Sequence, residues 1–226
     1  MLTYDFRLPP GPRGARPTWV VDGEAVPVEA AVVRVLAQAG RRAWHAENWL
    51  WTSLYALVFR DLYFLPIPGM LPTPRRDGPL DVGTPGFYAR RRAPIEARLA
   101  ALAADGPAKF CAGWEGERLA GLHAGEVVHR SASMIAGKTA AAVLRRLAEE
   151  GWSAARGLPD LYIFSGPEGR VPGALPSRVE EGDALVEIKG PGDSLRDDQR
   201  VWHHRLLDEA IVVELWEVAG QILQTA

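Results

Sequence analysis

Hydrophobic positions recur at two different periods along the chain, and the last third shows both. Over 184–189 the side chains alternate as on a strand, so Leu185, Glu187 and Lys189 share one face while Val186 and Ile188 take the other. Over 195–209, Leu195, Gln199, Trp202 and Leu206 recur at three-and-four spacing, which predicts a helix with Gln199 on its inward stripe. Runs of β-formers at 161–165 and 211–218 predict two further strands, the first followed by a Gly- and Pro-rich stretch over 166–182. Strand, helix and strand over 184–218 make a crossover, which predicts parallel strands and a right-handed connection. With the strand at 161–165 the expected architecture is α/β, a mixed sheet covered by helices.

The earlier part of the chain has mainly helical patterning. Residues 1–23 are rich in Pro, Gly and Arg and read as an extended lead-in with a short strand at 18–21. Helices are predicted over 26–39, 46–64, 87–104 and 131–151, the last closed by a glycine. In the second of these, Trp51, Leu54 and Val58 continue a stripe that begins at Glu47, so an acid heads an inward-facing row. Prolines from Pro66 to Pro85 leave 66–86 irregular, since each removes a backbone donor and fixes φ. The period is ambiguous over 111–125. The organisation expected is a mainly helical part over 1–130 and a core over 131–226, forming one compact unit.

At 226 residues the chain can bury a full core, and its formal net charge of -2 argues against a general nucleic-acid coat. A basic face is still compatible with that total. Arg41 and Arg42, Arg75 and Arg76, and Arg90, Arg91 and Arg92 are the groups proposed to contact phosphates. Lysine occurs only at Lys109, Lys138 and Lys189, so the one on the strand is not drawn from a lysine-rich surface. A single cysteine, Cys111, excludes an intramolecular disulfide and a cysteine-based zinc cluster. The N-terminus lacks a signal pattern, and Arg60 and Asp61 interrupt the apolar run over 49–65. Neither secretion nor a membrane span is expected, and the location expected is cytoplasmic, nucleoid-associated in a prokaryote.

Two familiar motifs fail. Ala136-Gly137-Lys138-Thr139 has the end of a phosphate loop, but position 132, where the leading glycine belongs, is Ala132. The five histidines share no ligand spacing, and His203 and His204 read as surface or structural residues.

What does carry chemistry is Asp160 at the end of a Gly-x-Pro turn, together with Glu187 and Lys189. Two acids and a lysine on neighbouring strands can hold a divalent metal and a water beside a phosphodiester, and hard cations take oxygen ligands.

The segments Gly157-Leu158-Pro159-Asp160-Leu161, Val186-Glu187-Ile188-Lys189-Gly190-Pro191-Gly192-Asp193 and Gln199-Arg200-Val201-Trp202 resemble the virus-type replication-repair nuclease (VRR-NUC) domain, a branch of the PD-(D/E)xK nucleases. Upstream, Glu47-Asn48-Trp49-Leu50-Trp51 and Pro79-Leu80-Asp81 are similar to the preceding part of the nuclease domain in the Fanconi-associated nuclease family. The resemblance implies a restriction-endonuclease-like sheet with an N-terminal helical extension. It implies Glu47, Asp160, Glu187 and the Ile188 carbonyl as ligands of Mg²⁺ or Mn²⁺, with Lys189 and Gln199 joining Asp160 and Glu187 in the catalytic set. The activity implied is structure-selective endonuclease or 5′-to-3′ exonuclease action on branched, flap or single-stranded DNA in repair, by in-line attack that leaves a 5′-phosphate. The alternatives are a dimeric four-way-junction resolvase of the same fold and a non-catalytic DNA-binding module. A monomer favours flaps and a homodimer favours junctions. A protein partner is expected to supply DNA-structure specificity in place of the family's N-terminal regions. Ser194 stands where the family commonly has arginine, which removes one expected phosphate contact.

Overall fold

The computed structural model describes residues 18–70, 78–112, 118–119, 122–123, 128, 131–164 and 183–218. The lead-in over 1–17, the loop over 166–182, and Arg75 and Arg76 lie outside them. In chain order the elements are strands β1 (Trp19–Val21) and β2 (Glu24–Val26), helix α1 (Val28–Gln38) and strand β3 (Ala43–His45). Helices α2 (Trp49–Val58), α3 (Arg60–Tyr63), α4 (Pro85–Arg90), α5 (Arg92–Asp105) and α6 (Ala108–Cys111) follow. Next come strands β4 (Arg118–Leu119) and β5 (Leu122–His123), then helix α7 (Gly137–Glu150). Strands β6 (Leu161–Ile163) and β7 (Ala184–Lys189), helix α8 (Asp197–Asp208) and strand β8 (Val213–Glu217) complete the order. No described helix is long and apolar enough to cross a membrane.

The chain divides into two units: the described residues up to Glu47 with those from Gly157 onward, and Asn48–Arg156. The division expected at 130/131 is replaced by this one, because β3, early in the chain, pairs with β6, late in it.

In the first unit the sheet order is β3-β6-β7-β8. β6 runs antiparallel to both β3 and β7, and β8 is parallel to β7, as the crossover requires. One face is covered by α1 and the β1–β2 hairpin, whose Val32, Leu36 and Trp19 pack with Leu161, Val186 and Ile188. The opposite face presents Leu185, Glu187 and Lys189 to α8, whose Gln199, Trp202 and Leu206 are buried. All six β7 positions are therefore buried, and two of them are charged. Edge strand β3 escaped the sequence pattern because three residues, two half-buried and one exposed, carry too little alternation to register. Its pairing continues to Ala46, whose N–H donates to the Asp160 carbonyl at 2.7 Å. That bond holds the chain extended, so the helix expected from residue 46 starts at Trp49. Glu47 precedes the helix rather than heading its stripe.

The second unit is mainly helical, with the short β4–β5 pair as its only sheet among the described residues. α2 is buried over Leu50, Trp51 and Ser53 to Val58, as expected of a central helix that is apolar all round. The helix expected over 87–104 breaks at Arg91, which is 1% exposed. Its Nε donates to the Leu62 carbonyl at 2.9 Å and its Nη1 to Asp81 Oδ2 at 3.0 Å, with the guanidinium 4.3 Å from the centre of the Phe87 ring. Arg91 is thus a bonded core residue and not a phosphate contact. The helix expected over 131–151 is interrupted: Ser131 and Ala132 are helical, 133–136 are not, and α7 starts at Gly137. A Cβ there would lie 2.4 Å from the Leu102 carbonyl oxygen, so this glycine serves the packing of α7 on α5.

Candidate active site

β7 extends beyond β6, and the extension makes the site. Leu161 pairs with Val186, so nothing of β6 stands opposite Ile188. The Asp160 side chain fills that place, its Oδ2 accepting the Ile188 N–H at 2.8 Å. The Leu185 N–H and the Lys189 carbonyl are bonded to Val212 and Val218 on the β8 side. By alternation, the Ile188 carbonyl points with its N–H to the Asp160 side. A carboxylate and a carbonyl oxygen therefore share one edge.

On the α8 face the Glu187 side chain is 1% exposed. Its Oε1 accepts Lys189 Nζ at 2.7 Å and a short bond from Gln199 Nε2. Lys189 Nζ also donates to Gln199 Oε1 at 3.0 Å. That same oxygen accepts the Arg196 backbone N–H at 2.9 Å, so Gln199 caps α8 while it joins the charged pair. One polar atom is left over: Glu187 Oε2 is buried without a partner among the described residues. An unmatched buried acceptor of this kind costs about 1–3 kcal/mol.

Burial pushes the Asp160 carboxyl up to about 6; the Ile188 N–H opposes this, and the charges of Glu29 and Glu47 add to it. Burial also raises Glu187, to about 7, with the Asp160 charge adding and Lys189 opposing. Two acids that repel in a dry place, one with an orphaned oxygen, beside a carbonyl oxygen, fit a hard divalent cation.

The fold brings Asp160, Glu187, Ile188, Lys189 and Gln199 together. Glu47 stands near enough to raise Asp160, yet its side chain is 39% exposed and lies 4.0 Å from His45 Nε2. Among the described residues no three His, Cys, Asp or Glu side chains are arranged to hold a metal. Glu29, on the first turn of α1, acts on Asp160 ahead of Glu47. Nothing in the sequence pointed to it, because its position depends on how α1 packs on the sheet. Of the arginines proposed for phosphates, Arg42, Arg90 and Arg92 are exposed. Arg41 is not: it is 4% exposed, so it offers no open phosphate contact.

Residues 119–220 match the VRR-NUC domain. The chain is 30% identical over 209 residues to the Fanconi-associated nuclease 1 homolog of Oryza sativa subsp. japonica, covering 88% of this chain and 21% of that protein. It is 30% identical over 216 residues to the homolog of Arabidopsis thaliana, covering 87% and 22%. The crystal structure of paFAN1 bound to 2nt 5′flap DNA with gap superposes with a TM-score of 0.69 at 25% identity, covering 98% of this chain and 37% of that one. The chain spans about a fifth of the length of these two curated relatives. The mixed sheet flanked by helices is the fold of that nuclease structure, and the matched stretch contains Asp160, Glu187, Lys189 and Gln199. Residues 119–220 belong to the VRR-NUC domain family.

Proposed function

We propose that this protein is a divalent-cation-dependent DNA nuclease that hydrolyses phosphodiester bonds in branched or 5′-flap DNA during repair. The observation that carries this reading is the convergence of the Asp160 carboxylate, the Ile188 backbone and the Glu187–Lys189–Gln199 network at the end of one strand. The relatives are named as nucleases and the structural neighbour holds flap DNA, which supports DNA as the substrate.

Asp160, Glu187 and the Ile188 carbonyl would hold Mg²⁺ or Mn²⁺, and Glu47 would complete the set from the neighbouring connection. A cation there neutralises the two acids and polarises a phosphate oxygen. The chain's own groups do the rest. Glu187 and Gln199 take two of the three ammonium hydrogens of Lys189 and fix the direction of the third. That N–H is available to hold the attacking water and to steady charge developing on the phosphate. Gln199 is itself held by the Arg196 N–H, so the register of α8 sets the position of the ammonium.

A panel of flap, nicked, single-stranded and four-way DNA with Mg²⁺ and Mn²⁺ tests the proposal. The expected result is cation-dependent cleavage, strongest on flaps, reduced at least about a hundredfold in Asp160→Ala and Lys189→Ala. Unchanged cleavage by either variant would refute the assignments. Cleavage confined to four-way DNA by a stable dimer would favour junction resolution instead.

A further inference from the structure

Arg196 is the only basic side chain between Lys189 and Arg200, and its place is fixed from two sides. It stands at the head of α8, where its backbone N–H donates to Gln199 Oε1 at 2.9 Å. The same oxygen accepts Lys189 Nζ at 3.0 Å, so the Arg196 nitrogen lies no more than 5.9 Å from the ammonium. On the other side, the first turn of α8 touches the turn that carries Asp160: a Cβ on Gly157, three residues before that acid, would come within 2.6 Å of the Asp198 backbone. The Arg196 end of α8 is therefore set between the acid at the head of β6 and the lysine at the end of β7.

The guanidinium is both anchored and open. Its Nε donates to Asp198 Oδ1 at 3.2 Å, and that oxygen also accepts the Gln199 N–H at 2.9 Å, so the anchor is itself held to the first turn. The Arg196 side chain is 59% exposed, and among the described residues its two terminal nitrogens have no partner. Lys189 by contrast is 11% exposed and turned to Glu187, so it serves the reacting phosphate and no other. A planar fork of N–H donors matches two phosphate oxygens at once. The positive charge of Arg196 also reaches Glu187, whose proton affinity it lowers. We propose that Arg196 is a DNA-binding residue: its terminal nitrogens hold a backbone phosphate next to the one that reacts and so set the register of the strand in the site. This deepens the nuclease reading above and rests on it. Such a contact carries no base information and fixes where the backbone lies. Arg196 was absent from the arginines proposed for phosphates, because in the sequence it stands alone among acids rather than in a basic run.

The test measures binding of 5′-flap DNA in chelator over a range of salt, for the parent, Arg196→Gln and Arg196→Lys, with thermal midpoints on the same samples. Arg196→Gln is expected to raise Kd about fivefold and to reduce the slope of log Kd against log salt by about one. Its midpoint should equal the parent's, since an exposed ion pair adds little to stability. Arg196→Lys should keep the slope and recover only part of the affinity, having a point charge in place of the fork. The same proteins are then tested on flaps in which single phosphates around the junction are replaced by uncharged methylphosphonate. At one position the parent should lose about fivefold and Arg196→Gln nothing further. An Arg196→Gln protein with the parent's Kd and slope would overturn the proposal. So would a variant as sensitive as the parent to every replacement, since Arg196 would then act through the fold. A parent that binds the flap but cuts it with neither Mg²⁺ nor Mn²⁺ sinks the nuclease reading, while the same binding data still decide Arg196. A parent that binds no flap DNA overturns both.

Discussion

Lys189 and Glu187 are buried together, and each is tolerable only because of the other. Replacing Lys189 with methionine is expected to abolish cleavage and to cost less than about 3 kcal/mol in urea unfolding at pH 7. The cost is limited because Glu187, already raised by burial, can take up a proton once its partner is gone. A larger loss would mean that the carboxylate stays charged. The same acids set the pH response. Asp160 and Glu187 hold their protons to higher pH when folded, so without a cation the folded chain binds more protons from about pH 4, the ordinary carboxyl range, up to about 7. Stability contributed by these two groups therefore falls as pH rises through that window. Thermal midpoints in chelator should drop from pH 5 to pH 8, and the rise produced by Mg²⁺ should be larger at pH 8; a Mg²⁺ effect independent of pH would contradict this. At this scale the sequence was most legible where a single period governs. Alternation put Glu187 and Lys189 side by side, and helical spacing turned Gln199 inward. Arg91 was misread because three consecutive arginines look alike until a helix break turns one of them toward Asp81.

The site depends on one element outlasting another: β7 continues for three residues past Val186, its last partner of the β6 pairing, and Asp160 occupies the gap. The turn before Asp160 is held tightly against α8. Gly157 has φ +82, and a Cβ on it would lie 2.6 Å from the Asp198 backbone. Gly157→Ala is expected to push the start of α8 outward, costing at least about 1 kcal/mol in stability and loosening the Gln199 cap. Its readout is a lower thermal midpoint together with a lower kcat. A midpoint matching the parent would show that the turn adapts. The crossover from β7 through α8 to β8 was readable because apolar runs, Gly-Pro punctuation and a helical stripe agreed there. Strand β3 was not, and with it went the true start of α2, since a short edge strand leaves almost no mark on the pattern.

Across the whole chain, the basic residues separate by burial into different jobs. Arg91→Ala should destabilise the second unit by at least about 3 kcal/mol, because it leaves the buried Asp81 carboxylate only the longer contact to Arg90 at 3.3 Å and removes the donor to the Leu62 carbonyl. Arg92→Ala, on an exposed residue, should stay within about 0.5 kcal/mol. If the exposed pair Arg90 and Arg92 meets DNA, reversing both charges will lower the salt dependence of binding, whereas an unchanged slope removes them from the interface. The unit boundaries were the least legible feature, since the pairing of β3 with β6 joins segments more than a hundred residues apart and no local pattern reports such a bond. The central claim is that Asp160, Glu187 and the Ile188 carbonyl form a cation site. Anomalous diffraction from crystals soaked in Mn²⁺ tests it most directly. A peak is expected within coordination distance of Asp160, Glu187 and the Ile188 carbonyl oxygen; a peak elsewhere, or none at that edge, would contradict a cation site there.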